Sequence, residues 1–121
     1  MRLCVIGLGY VGSVSCGCLA AIGHHVIGVD INEEKVAAIR GGRPPVLEPE
    51  LDELIATAVR EGRLTATTDM VEAVRSSDAA LVCVGTPSNR QGNVQTGFLT
   101  DVCRDIAAIA LDRDRPLVLL N

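Results

Sequence analysis

The chain has 121 residues, of which 48% are hydrophobic, and a mean hydropathy of +0.32. This length predicts one domain with a substantial core, and the scarcity of aromatic residues (one Tyr, one Phe, no Trp) predicts that the core is aliphatic. The net charge of −4, without a basic cluster, argues against nucleic acid and anionic membrane surfaces as partners.

The cysteines indicate a reducing environment. Five are scattered along the chain without metal-ligand spacing: Cys4, Cys16, Cys18, Cys83 and Cys103. An odd, scattered set argues against a disulfide framework and predicts a cytoplasmic location. No apolar stretch is long enough to span a bilayer, and a strand followed by a glycine-rich turn explains the apolar N-terminus better than a signal peptide does. We therefore expect a soluble protein that binds no metal and no membrane.

The first predicted elements are a strand, a helix and a second strand. An apolar run predicts a strand over residues 2–6, and the next pattern predicts a helix from Tyr10 to Ile22 that stops at Gly23. The second strand is expected over His25–Asp30. The expected apolar face of the helix consists of Val11, Val14, Cys18 and Ile22.

Two further helices are expected before the third strand. Asn32 is a predicted N-cap, with Glu33 and Glu34 in the first turn of its helix and Gly41 as its terminator. A rigid connector, Arg43-Pro44-Pro45, follows, and Glu48-Pro49 is expected to shape its end. The next helix is predicted from the spacing of Leu51, Leu54, Ile55, Ala58 and Val59, and it ends at Gly62.

The last part of the chain repeats the alternation of strands and helices. Strands are predicted over Leu64–Thr67, Ala79–Val84 and Pro116–Leu120. Asp69 and Glu72 resemble a capping pair for a short helix to Ser76. A glycine-rich loop, Gly85–Gly97, leads to a helix over Phe98–Leu111.

Such alternation predicts an α/β fold of the Rossmann type: a doubly wound parallel sheet in three αβα layers. Right-handed crossovers and the position of the glycine turn predict the strand order 3-2-1-4-5. A full dinucleotide domain normally adds a sixth strand, so a chain that stops directly after the fifth is expected to be a fragment of a longer enzyme.

The glycines after the first strand have the spacing of a dinucleotide-binding turn, Gly7-x-Gly9-x-x-Gly12. Gly7 is expected to permit the tight turn, Gly9 to let a pyrophosphate approach the backbone, and Gly12 to let the helix pack closely on the sheet. The helix that follows presents unpaired N–H groups and a partial positive charge to the phosphates.

Asp30, at the end of the second predicted strand, indicates which dinucleotide is bound. Its carboxylate can accept hydrogen bonds from both ribose hydroxyls of adenosine, but it would repel a 2′-phosphate. At an effective dielectric of about 20, like charges ~4 Å apart cost roughly 4 kcal/mol, which is about a thousandfold in binding. The sequence therefore predicts NAD rather than NADP as the cofactor.

From these residues outward, the whole chain resembles the N-terminal NAD-binding domain of the UDP-glucose/GDP-mannose dehydrogenase family. The matching segments are Gly7-Leu8-Gly9-Tyr10-Val11-Gly12, Gly28-Val29-Asp30 with Lys35, Glu48-Pro49, Gly62-Arg63-Leu64 with Thr67-Thr68-Asp69, and Cys83-Val84-Gly85-Thr86-Pro87-Ser88. Within the family, three segments are most similar to members that oxidise GDP-mannose, with the UDP-glucose members as the alternative: Cys16-Gly17-Cys18-Leu19, Gly85-Thr86-Pro87-Ser88 and Val102-Cys103-Arg104. The segment Asn93-Val94-Gln95-Thr96 departs from the family pattern.

The resemblance implies roles for individual residues. Tyr10 and Val11 would contact the pyrophosphate through their backbone, and Asp30 would hold the adenosine ribose. Lys35 would reach the same ribose or a phosphate, and Thr86 would lie beside the nicotinamide half of the cofactor. The sequence places no nucleophile near His24 or His25, so neither is given a catalytic role.

The resemblance also implies an activity. The family oxidises the C6 hydroxyl of a sugar nucleotide to a carboxylate with two NAD⁺, through a cysteine nucleophile that lies in the central and C-terminal regions. No cysteine here matches it, so no catalytic residue is expected in this chain, which alone would be inactive. The nucleotide sugar would bind through those other domains, and a homo-oligomer is expected only of the full-length protein.

Two alternatives remain open. A stand-alone NAD-sensing regulatory module would share the glycine triplet and the terminal acid, and the short length would suit it. A β-hydroxyacid dehydrogenase would share the Gly-Leu-Gly opening, but such proteins usually place Arg or Asn after the second strand, where this chain has Asp30.

Overall fold

A computed structural model describes residues 1–85, 90–92 and 97–121 of the chain. The strands are β1 (Arg2–Ile6), β2 (His25–Val29), β3 (Leu64–Thr67), β4 (Ala79–Val82) and β5 (Val118–Leu120). The helices are α1 (Tyr10–Ala21), α2 (Glu33–Arg40), α3 (Leu51–Arg60), α4 (Met70–Ser76) and α5 (Gly97–Leu111).

All the strands belong to one parallel sheet with the order β3-β2-β1-β4-β5, which confirms the predicted topology. The central strand β1 pairs with β2 through Ile6 opposite Val29 and with β4 through Ile6 opposite Val82. Because the strands are parallel, the carboxyl ends of β1, β2 and β4 meet at one edge of the sheet. The loops that leave these ends form the candidate site.

Alternate residues of the strands feed two separate cores, as expected for helices on both faces of a parallel sheet. One core joins Val5 and Val26 to buried residues of α1, α2 and α3. The other joins Cys4 and Ile6 to buried residues of α4 and α5. The predicted three layers are therefore confirmed. The buried side chains are aliphatic or small, and both aromatic residues, Tyr10 and Phe98, are exposed.

The predicted apolar face of α1 is wrong except at Val14, which is half-buried and packs against the core. Val11 and Ile22 are 62% and 73% exposed, and Cys18 is also exposed. The buried residues of the helix are instead its smallest ones: Gly12, Ser13, Cys16, Gly17 and Ala20. A Cβ on Gly17 would lie 3.1 Å from Leu51 Cδ1 of α3, so close approach between the two helices selects residues by size rather than by hydropathy.

Several predicted ends differ from the structure by one or two residues. Strand β2 ends at Val29, so Asp30 begins the loop, and β4 ends at Val82. Strand β5 begins at Val118, whose N–H donates to the Asp78 carbonyl at 3.1 Å, so both Pro116 and Leu117 precede the strand. Helix α5 begins at Gly97, directly before Phe98. Within the described ranges, none of the helices has the length and apolar character needed to cross a bilayer.

Candidate functional site

The loop between β1 and α1 is held close to the sheet by Gly7. Its N–H donates to the Val29 carbonyl at 2.7 Å, and its φ of +100° is one that side chains with a Cβ rarely adopt. A Cβ on Gly7 would lie 2.7 Å from the carbonyl oxygen of Cys83, which follows β4. Glycine is therefore required here by the turn and by the neighbouring strand.

Gly12 is required by the same loop. A Cβ at this position would lie 1.7 Å from the Gly7 carbonyl oxygen, a separation that no relaxation of a side chain could remove. The first turn of α1 therefore packs directly on the main chain of the loop.

Gly9 differs from both. Its φ is −78°, which any residue can adopt, and a Cβ built on it would meet nothing within 4 Å. The packing of the described residues gives no reason for glycine here. The open space beside the Gly9 main chain is the kind of cradle that a ligand with bulky, charged oxygens can enter.

The start of α1 faces the same space and is open. Gly9 is its N-cap, no side chain caps it, and its first turn has no acidic residue. The first helical residues are Tyr10 and Val11, so their N–H groups have no partner within the helix. These donors and the helix dipole together favour an anion at this point.

Asp30 links the glycine loop to the next helix. One carboxylate oxygen accepts from the Leu8 N–H at 2.8 Å, and the other accepts from the Asn32 N–H at 2.9 Å. Because each carboxylate oxygen can accept more than one hydrogen bond, both retain capacity for hydroxyl donors. The two backbone hydrogen bonds thus fix the orientation of the carboxylate and leave each oxygen able to accept a further hydrogen bond.

Leu8 is a structural residue of the site that the sequence analysis missed. Its side chain is fully buried beneath the glycine loop. A Cβ on Gly28 of β2 would lie 2.8 Å from Leu8 Cδ2, so this glycine makes room for the leucine. The available signal was an apolar residue between two glycines, followed by a glycine inside the second strand.

A cleft of about 490 Å³ lies at this edge of the sheet. It brings together four of the residues predicted from the sequence: Gly7, Gly9, Asp30 and Lys35. Its other wall was not predicted and comes partly from α4 and α5, with Ile31, Met70, Phe98, Val102 and Asp105 among its residues.

Lys35 stands in the first turn of α2, where its N–H donates to the Asn32 side chain at 3.3 Å. The residue is half-buried and lines the cleft beside Asp30. The predicted role of Thr86 and the unusual segment 93–96 lie outside the described residues.

The Tyr10 side chain connects the start of α1 to the segment before α3. Its hydroxyl donates to Glu48 Oε2 at 2.8 Å, which ties the connector before α3 to the start of α1. This hydrogen bond, reinforced by the charge of Glu48, raises the pKa of the Tyr10 phenol. The contact matches the expectation that Glu48-Pro49 shapes the connector.

Three cysteines lie in or near the core and are poor candidates for a thiolate. Burial raises the pKa of the Cys83 thiol, which lines the cleft, although a hydrogen bond with Ser15 opposes this effect. Burial also raises the pKa of Cys4 and Cys16. These thiols are therefore protonated at neutral pH. No group of three or more His, Cys, Asp or Glu residues suited to a metal occurs in the described part of the chain.

The geometry fits a dinucleotide. A diphosphate needs open main chain and unpaired N–H groups, which Gly9 and the start of α1 supply. A ribose needs an oriented acceptor, which Asp30 supplies at the carboxyl end of β2. Ligands of open parallel sheets bind at this edge, where the strand order reverses.

Comparison with known proteins agrees with this geometry. Residues 1–119 match the model of the UDP-glucose/GDP-mannose dehydrogenase family, NAD binding domain. The chain is 47% identical over 122 residues to GDP-mannose 6-dehydrogenase of Pseudomonas aeruginosa, covering 100% of this chain and 28% of that protein. UDP-glucose 6-dehydrogenase of Rhizobium meliloti is 44% identical over 109 residues, covering 89% of this chain and 25% of that protein.

Among solved structures, a ternary complex of GDP-mannose dehydrogenase from P. aeruginosa superposes with a TM-score of 0.92 at 45% identity, covering 98% of this chain and 28% of that one. The chain thus spans about a quarter of the length of these relatives. The comparisons do not support a stand-alone regulatory module. The chain belongs to the UDP-glucose/GDP-mannose dehydrogenase family as its NAD-binding domain, and NAD is the family's cofactor.

Proposed function

We propose that these residues form the cofactor-binding domain of a longer sugar-nucleotide 6-dehydrogenase, which oxidises the C6 hydroxyl of its substrate to a carboxylate. GDP-mannose is the first candidate substrate, because GDP-mannose 6-dehydrogenases match most of the chain at 43–47% identity. UDP-glucose is the second candidate, because the R. meliloti enzyme is 44% identical.

In this proposal the described residues hold the cofactor and take no part in the covalent chemistry. NAD supplies a hydride acceptor when bound. The N–H groups of Tyr10 and Val11 bind its diphosphate beside Gly9, Asp30 accepts from the adenosine ribose, and Lys35 neutralises charge at the same end of the cleft. The sugar nucleotide and the catalytic cysteine belong to other domains of the enzyme, which also form its oligomer contacts. A cytoplasmic location is part of the proposal, since all the cysteines are free.

The observation that carries the proposal is the open space at Gly9, and Gly9→Ala tests it. Since alanine fits the Gly9 backbone and its methyl meets no protein atom, the free energy of unfolding should stay within about 0.5 kcal/mol of wild type. NAD affinity, measured by isothermal titration, should fall at least about tenfold, because the methyl occupies the place of the diphosphate.

Gly97→Ala is the matched control. A Cβ on Gly97 also meets nothing within 4 Å, but Gly97 does not line the cleft. Its NAD affinity should equal that of wild type. If Gly9→Ala bound NAD as tightly as Gly97→Ala does, the diphosphate would not lie at Gly9.

Asp30→Asn tests the choice between NAD and NADP. Asparagine can keep an acceptor for one of the two backbone bonds, but it lacks the charge that repels a 2′-phosphate. The ratio of the Kd for NADP to the Kd for NAD should therefore fall at least about tenfold. A wild-type protein that prefers NADP would contradict the role given to Asp30.

A further inference from the structure

We propose that Asp105 recognises the adenine base of the cofactor through the exocyclic amino group of the ring. The inference rests on the proposed NAD site and extends it to a specificity-determining residue on α5.

The part of the cleft beyond Asp30 suits a flat, apolar ring. If the ribose is held by Asp30 and the diphosphate lies at Gly9, the base extends away from α1 toward the remaining wall. That wall offers apolar side chains to the ring faces: Ile31 is 84% exposed, Phe98 is 51% exposed, and Met70 lines the same cleft. Phe98 is the only phenylalanine of the chain.

Helix α5 brings one polar group to this wall. Phe98, Val102 and Asp105 are spaced at i, i+4 and i+7, which places them on one face of the helix. All three line the cleft, with Val102 buried between the other two. Because α5 leads back from the carboxyl edge toward β5, Asp105 lies farther from that edge than Phe98, and its side chain is exposed.

Asp105 has no partner among the residues that the structure describes, whereas neighbouring acids do. Asp101 pairs with Arg104 at 3.6 Å, and Asp112 pairs with Arg75 at 2.7 Å. The Asp30 carboxylate is oriented by two backbone N–H groups. Asp105 is thus the charged acceptor on a wall that is otherwise apolar except for Thr68, and it is free to bind a donor from a ligand.

Adenine carries such a donor at its edge. Its amino group at C6 can donate to a carboxylate, which only accepts. Hypoxanthine has an oxygen at the same position, so this oxygen and the carboxylate would repel each other. The cleft should therefore distinguish NAD from nicotinamide hypoxanthine dinucleotide, in which an oxo group replaces the amino group and the adjoining ring nitrogen N1 carries a proton.

The experiment compares the Kd of these two dinucleotides by isothermal titration. Wild type should prefer NAD at least about tenfold, since hydrogen bonds to charged groups are strong and an unmatched acceptor pair is unfavourable. In Asp105→Asn the ratio should fall to about threefold or less, because the side-chain amide can turn to donate to the oxygen or to accept from the amino group. Asp101→Asn, one turn earlier on α5 and outside the cleft lining, should keep the wild-type ratio.

The outcomes separate this inference from the proposed function. If wild type bound NAD but did not discriminate, or if Asp105→Asn kept the wild-type ratio, Asp105 would not read the base and the NAD site would stand. If wild type failed to bind NAD at all, both proposals would be overturned. Thermal unfolding of each variant checks that its fold is intact.

Discussion

The starts of α1 and α2 stand at the same edge of the sheet, directly after β1 and β2, yet they are built in opposite ways. Helix α2 is complete: the Asn32 side chain accepts from the N–H groups of Glu34 at 2.9 Å and Lys35 at 3.3 Å, and two acids complement its dipole. Helix α1, whose N-cap is Gly9, has no side-chain cap and no acid in its first turn.

The contrast indicates where an anion can bind. A helix whose first donors are already satisfied, and whose first turn is negative, has little to offer a diphosphate. The open helix has free donors and an undiminished dipole. Asp30 joins the two, because its oxygens accept from Leu8 before α1 and from Asn32 before α2. The pair thus places a site for negative charge next to a carboxylate suited to hydroxyl groups.

The largest loss of stability should come from a substitution that forces the uncapped start of α1 away from the glycine loop. Gly12→Ala would place a methyl 1.7 Å from the Gly7 carbonyl oxygen, so the loop or the helix must move. We expect the free energy of unfolding to fall by about 3 kcal/mol or more, measured in urea.

The equivalent third position of α2 is the control for this substitution. Lys35→Ala should change the free energy of unfolding by only about 0.5 kcal/mol, since a partly exposed side chain is removed without a clash. Equal losses in the two variants would mean that the start of α1 is packed no more tightly than that of α2.

Local signals made much of this edge predictable from the sequence. The cap at Asn32, the acids after it and the glycine spacing at Gly7, Gly9 and Gly12 each act within a few residues, so their pattern gives both the helix starts and the loop between β1 and α1. The strand order followed because right-handed crossovers leave few ways to arrange alternating strands and helices.

What the sequence could not give depends on packing between distant segments. Val11 and Ile22 looked like the buried face of α1 because hydropathy weighs large side chains, whereas contact with α3 favours the smallest. The contributions of Phe98 and Asp105 to the cleft were not predicted. They line it only because α5 packs beside α4 on the sheet face that does not carry α1, α2 and α3. No sequence motif within α5 indicates that it lines the cleft.

A negative charge added to the first turn of α1, which has no side-chain cap, should raise the stability of the protein and weaken NAD binding. Val11 is 62% exposed at the second position of α1. In Val11→Glu the carboxylate would stabilise the helix by about 0.3–1 kcal/mol. It would also repel the diphosphate and weaken NAD binding by about tenfold, measured by isothermal titration.

Val71 offers the same position on another helix. It is 45% exposed at the second position of α4 and does not line the cleft. Val71→Glu should gain less stability, because Asp69 and Glu72 already make the start of α4 negative, and it should bind NAD as wild type does. Equal losses of affinity in the two variants would show that overall charge, rather than the open start of α1, governs binding.

The smallest effect should come from removing the cap of the completed helix. Asn32→Ala leaves the donors of Glu34 and Lys35 without their acceptor, so the free energy of unfolding should fall by about 1 kcal/mol, and Asn32→Asp should restore it. NAD affinity should change by less than about twofold, because Asn32 holds Asp30 through its backbone N–H, which alanine keeps. If Asn32→Ala instead weakened NAD binding as strongly as Val11→Glu, the start of α2 would also contact the diphosphate. The two helices would then share the anion, and the missing cap of α1 would not mark the site by itself.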